Sequence, residues 1–102
     1  MEVRDGSVSF NKFRGSGPRP GRAEVIFSAP VTQAAAILRG FDVRFSPRSD
    51  HHFGKLEVTL EAEIDPLAPQ RVNVDVTYGL RDWSNEWDDH YEGEILFSVV
   101  AE

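Results

Sequence analysis

Apolar residues recur at every second position over most of this chain. From Leu56 they fall at Leu56, Val58, Leu60, Ala62 and Ile64, with Glu57, Thr59, Glu61 and Glu63 between them. From Val72 they fall at Val72, Val74, Val76, Tyr78 and Leu80, with Asn73, Asp75, Thr77 and Gly79 between them. A period of two sends alternate side chains to opposite faces of an extended chain, so each run reads as a strand with one dry and one wet face. Shorter runs repeat the pattern: Val8 and Phe10; Ala23, Val25 and Phe27; Phe41, Val43 and Phe45; Ile95, Phe97 and Val99. The spacing predicts six strands, near 7–13, 22–29, 34–46, 55–64, 71–81 and 93–101. The stretch TQAAAIL over 32–38 is compatible with a helical turn, but it runs straight into alternation and is short for a helix, so a strand is expected there. Breaker-rich segments at 15–21, 46–54 and 65–69 fall between the runs, where turns belong.

Six short strands, each with one apolar face, must cover those faces. Packing two antiparallel sheets face to face does so, and the expected fold is all-β: a six-stranded antiparallel β-sandwich forming a single domain over 1–102. If consecutive strands alternate in direction, the connections after strands one, three and five share one pole. These are the residue-rich segments 14–21, 46–54 and 82–92; the connections at the other pole, 30–33 and 65–70, are short and chemically plain. All three histidines and both tryptophans fall at the rich pole, with Arg14, Arg19 and Arg48.

Composition narrows the function classes. The chain has 102 residues, one domain's worth, and is 40% hydrophobic. No apolar run approaches the length of a membrane span, and MEVRDGSVSF carries charges where a signal peptide needs an apolar stretch. Neither a membrane span nor an export signal is expected, a pattern compatible with a cytoplasmic or non-classically exported protein. The absence of cysteine excludes disulfides, thiolate metal sites and thiol nucleophiles. Seventeen acids against eleven bases give a net charge of -6, which speaks against a broad nucleic-acid surface, although Arg14, Arg19, Arg22, Arg39, Arg44 and Arg48 all lie in the first half.

The richest chemistry stands in RDWSNEWDDHYEG, residues 81–93. Sugars present flat C–H faces ringed by hydroxyls, so their sites combine aromatic plates with planar carboxylate, amide and guanidinium partners. Trp83, Trp87 and Tyr91 offer plates; Asp82, Asn85, Asp88, Asp89, His90 and the arginines offer partners. The competing reading is that the tryptophans plug the end of the core while the carboxylates cap turns. A metal is a second candidate chemistry, because Asp50, His51 and His52 share the pole with Asp88, Asp89 and His90. Asp50, His52 and Asp88 are the candidate ligands for calcium or zinc, although neither DHH nor DDH has the spacing of a known site and the EF-hand pattern is absent. Solvated turn residues are the alternative. No nucleophile elbow, phosphate-cradling glycine loop or HExxH helix appears, so a non-enzymatic protein without a resident cofactor is expected.

With these residues placed, the chain resembles the H-type lectin domain, of the snail-agglutinin and discoidin C-terminal type. AEVIFSAPV over 23–31 is similar to that domain's opening strand, GFDVRF and KLEVTLEAEI to its next two, and WDDHYEGEILFSVVAE over 87–102 to its closing stretch. The likeness covers residues 23–102. It implies a six-stranded antiparallel sandwich assembled as a trimer, with galactose or N-acetylgalactosamine bound at clefts between subunits. The family's sugar-binding Trp, polar residue and Tyr map onto Trp87, Asp88 and Tyr91, with Asp89, Trp83, Asn85, His90 and Lys55 nearby. Asp88, or Ser84 if Trp83 is the match, stands where the family has a His; the Trp-to-Tyr interval differs from the family's with either Trp, and Lys55 is the cation in a strand where the family has an early Arg. Outward positions Ile26, Leu96 and Val100 are apolar where alternation calls for polar residues, which separately suggests a subunit contact. The expectation is thus a glycan-binding homotrimer of the kind that serves cell adhesion. The alternatives are a structural or trimerising module of the same fold without a sugar site, and a metal-dependent binding protein.

Overall fold

The computed structural model describes residues 1–13, 17–46, 52–84, 87 and 90–102. Six strands follow in order: β1 Glu2–Phe13, β2 Arg19–Ile26, β3 Ala34–Phe45, β4 Phe53–Ile64, β5 Arg71–Asp82 and β6 Tyr91–Ala101. They form two three-stranded antiparallel sheets with orders β1-β6-β3 and β2-β5-β4. Among the described residues there is no helix, and none is long and apolar enough to cross a membrane.

The central strands bury the faces that alternation marks as dry. On β5, Val72, Val74, Val76, Tyr78 and Leu80 point into the core, and on β6 so do Ile95, Phe97, Val99 and Ala101. Edge strands β1, β2, β3 and β4 add Val8, Phe10 and Val25 fully and Ala36, Val43, Leu56, Val58 and Leu60 in part. The two inner faces meet in one core: Phe10 of one sheet packs edge-on against Tyr78 of the other at 5.2 Å, and Tyr78 does the same to Tyr91 at 5.2 Å. The Tyr78 hydroxyl crosses to donate to the Glu92 carbonyl at 2.7 Å, so the buried phenol keeps a partner. Burial pushes its ionisation well above the ordinary tyrosine range, with the neighbouring Tyr91 adding to the shift, so it remains a neutral donor. The architecture is sandwich-like.

The strands depart from the sequence expectation most at β1 and β2 and inside β3; the other ends shift by no more than two residues. β1 begins at Glu2 rather than near 7, because its first half is held by the ladder to β6 rather than by apolar residues of its own. Arg4 and Gly6 occupy positions paired with Val99 and Phe97, and the Phe97 ring lies over Gly6 where a Cβ would meet it at 2.6 Å. β2 begins at Arg19 and includes Pro20 and Gly21, which an edge strand tolerates; Gly21 leaves room for Val8 and the Phe10 ring. β3 carries a bulge between Leu38 and Gly40. One extra residue there switches the inward parity from Ala34 and Ala36 to Val43 and Phe45, which is why AAAIL shows no alternation continuous with the run after it.

The apolar outward positions separate onto two sheets. Leu96 and Val100 lie on the outer face of β6, flanked by Val3 (59% exposed) on β1 and Ile37 (54% exposed) on β3. Ile26, half exposed, lies on β2 in the other sheet and is not part of that patch.

Candidate functional site

Strand direction brings the ends of β1, β3 and β5 together with the starts of β2, β4 and β6 at one pole. Backbone bonds tie the pole together: Ser46 N–H donates to the His90 carbonyl at 3.0 Å, and Trp83 N–H to the His52 carbonyl at 3.2 Å. The opposite pole, where Val31 N–H meets the Pro69 carbonyl, offers a hollow of about 230 Å³ between Met1, Gln33, Val100 and Glu102. That hollow lacks both the aromatic plates and the paired cations of the first pole, so its size alone gives no reason to place recognition there.

The first pole has a packed side and an open side. On the packed side Arg19 donates to the Asn11 carbonyl at 2.7 Å and the Tyr91 carbonyl at 3.1 Å, its guanidinium 5.5 Å from both the Phe10 and Tyr91 rings. Tyr91 is 1% exposed, and its hydroxyl reaches the Gly17 carbonyl at 3.0 Å and the Tyr78 carbonyl at 3.3 Å. Burial raises the Tyr91 phenol's ionisation above its ordinary value, while the charge of Arg19 works in the opposite sense. Tyr91 is therefore part of the core in this chain, not an exposed plate. Its parity carries the signal: position 91 matches Ile95, Phe97 and Val99, the dry face of β6.

The open side lies at the ends of β4 and β5. Asp82 is buried and its carboxylate accepts from Ser84 N–H at 2.9 Å and from the Ser84 hydroxyl, closing a tight turn. That turn presents Trp83, 75% exposed, with the His52 ring edge-on at 6.3 Å. Phe53 beside it is 65% exposed. Gly54 lets the β4 backbone pass against Asp82 and Trp83, where a Cβ would approach Trp83 N within 2.7 Å.

Trp87 behaves differently. It is half-buried and folds onto the outer face of the β2-β5-β4 sheet, where a Cβ on Gly79 would meet its ring at 2.8 Å and Arg81 stacks over it at 5.4 Å. Arg81 shares its outward face with its ladder partner Lys55, whose ammonium pairs with Glu57 at 3.4 Å. The two tryptophans thus divide the roles that the sequence left open for each: Trp83 is exposed, and Trp87 is a packed flank with Arg81 above it.

Among the remaining expected site residues, His90 is half-buried just before β6 and Lys55 is exposed. Asn85, Asp88, Asp89, Asp50 and His51, with Arg14 and Arg48, lie outside the described residues. Of the candidate metal set Asp50, His52 and Asp88, only His52 is described, and no group of three possible ligands occurs among the described residues. Sequence reading missed Phe53, Arg81 and Gly79 as parts of this surface. The available signal was Gly79 itself, a glycine inside an otherwise regular strand, which often marks a close approach by another group.

No protein-family model matches this chain, and no curated protein or solved structure matches it significantly.

Proposed function

We propose that this chain is a non-enzymatic carbohydrate-binding module of H-type lectin-like architecture, with its ligand seated on the Trp83 side of the loop pole. The observation that carries the reading is Trp83, a large indole left 75% exposed on a turn held by Asp82, Ser84 and His52. An exposed indole on a held turn suits the C–H face of a pyranose, and His52 and Arg81 provide hydrogen-bond donors close by in the fold. Relative to the family pattern, the plate moves from the Trp87–Tyr91 pair to Trp83, because Tyr91 is enclosed in the core.

A glycan array tests this directly. The purified protein should bind a restricted set of glycans, and Trp83→Ala should weaken the strongest of them roughly tenfold or more while leaving the melting temperature unchanged. Retention of full affinity by the variant would remove Trp83 from the site.

The second reading, a trimerising structural module, is favoured by the apolar strip Val3, Ile37, Leu96 and Val100. The same strip supports a homotrimer within the first reading. A protein that sediments as a trimer and binds nothing on the array would leave the structural reading alone.

A further inference from the structure

We propose that Arg81, with Lys55 across the ladder and Trp87 beneath it, receives the acidic group of the ligand, so that the module selects sugars bearing a carboxylate or sulfate. The inference rests on the carbohydrate reading and sharpens it to a ligand class.

Arg81 is unusual in its company. In a chain of net charge -6 the other described arginines have partners: Arg4 with Glu2, Arg22 with Asp75, Arg39 with Asp5, Arg44 with Glu92 and Arg71 with Asp65, while Arg19 is held by carbonyls. Among the described residues no carboxylate stands within ion-pair distance of Arg81. Its Nε is also shut away from water without a hydrogen-bond acceptor. The terminal N–H groups of the same guanidinium are not buried in this way and have no acceptor among the described residues, so they are the donors that an acceptor from outside can meet.

The geometry favours a particular acceptor. The Arg81 guanidinium carbon lies 5.4 Å over the Trp87 ring, and a guanidinium held by such a contact can still bond a carboxylate or sulfate through its terminal N–H groups. Lys55 is the ladder partner of Arg81, so two cations stand side by side on one face with Glu57 as the nearby acid. On the outer face of the ladder Arg81 and Lys55 thus stand with Glu57 as the described acid, while the neighbouring Asp82 carboxylate is buried and taken up by Ser84. A polyanion such as a nucleic acid would meet the rest of a chain of net charge -6, whereas a single acidic group on a short glycan would not. Arg81 also stands two residues from Trp83, so a sugar on the exposed indole can carry its acidic group toward the guanidinium.

Calorimetric titration with lactose, sialyllactose and a sulfated galactoside tests the proposal. The two acidic probes should bind roughly tenfold or more tightly than lactose, and the stronger of them identifies carboxylate or sulfate as the preferred group. Arg81→Gln should erase the difference between acidic and neutral probes, while Trp83→Ala should weaken both. Should Arg81→Gln fold poorly, Lys55→Gln should reduce the same preference, with a melting curve like that of the unaltered protein. Equal binding of lactose and the acidic probes, or a preference that survives Arg81→Gln, would overturn the inference and leave the carbohydrate reading intact. Failure of every glycan on the array removes that reading and this inference together.

Discussion

Gly93→Ala is expected to cost roughly 2–6 kcal/mol, a large part of the stability of a domain this size. Gly93 sits on the central strand β6 with φ of 156°, a backbone state that side chains rarely adopt. A Cβ there would run into the Asp42 carbonyl, lie 3.0 Å from the Val43 Cα and 3.2 Å from the Tyr78 hydroxyl. Two of these obstacles are backbone of β3, so relief requires prising β3 from β6 beside the loop pole. The third is the phenol that bridges the two sheets. Gly40→Ala is the control, because its nearest neighbour, Leu96 Cδ1, would be 3.6 Å away in ordinary contact, and its stability should change by less than about 1 kcal/mol. Urea denaturation of the two variants separates the cases; comparable stability for both would show that the β3–β6 seam is looser than described.

Phe97→Ala should be the most damaging truncation in the core, costing about 3–5 kcal/mol and lowering the melting temperature on the order of 15–25 °C. Phe97 is fully buried, pairs with Gly6 on one side and Leu38 on the other, and covers Gly6 with its ring. The first half of β1 contributes little apolar surface of its own, so it depends on that ring and on the ladder. Removing the ring should therefore loosen β1 selectively. Amide hydrogen exchange should accelerate at residues 2–7 more than along β5, and uniform acceleration would argue against this dependence.

Much of the fold was legible because alternation reports burial, and burial is greatest on central strands. Val72 to Leu80 and Ile95 to Val99 point where their parity says. Elements held by backbone bonds leave no such trace: Arg4 and Gly6 lie on inward positions of β1, and the β3 bulge only appears as a lapse in rhythm around Arg39. The gathering of loops at one pole followed from strand count and direction alone. The division of labour between Trp83 and Trp87 did not, because it turns on a missing side chain. Gly79 leaves a bare stretch of β5 on which Trp87 can lie, and Arg81 then stacks on the indole. The family resemblance pointed to Trp87 and Tyr91, yet Tyr91 shares the parity of the core and is enclosed by it.

The central claim, that a sugar sits on the Trp83 side of this pole, is tested most directly by a two-dimensional NMR titration with the best ligand from the array. The indole N–H signals of Trp83 and Trp87 report the two sides of the site separately. Binding should shift the Trp83 indole and the amides of His52, Phe53 and Ser84 most, with the Arg81 Nε signal following when the sugar is acidic. Shifts confined to the far pole around Val31, Gln33 and Gln70, or spectra that no glycan changes, would contradict the claim.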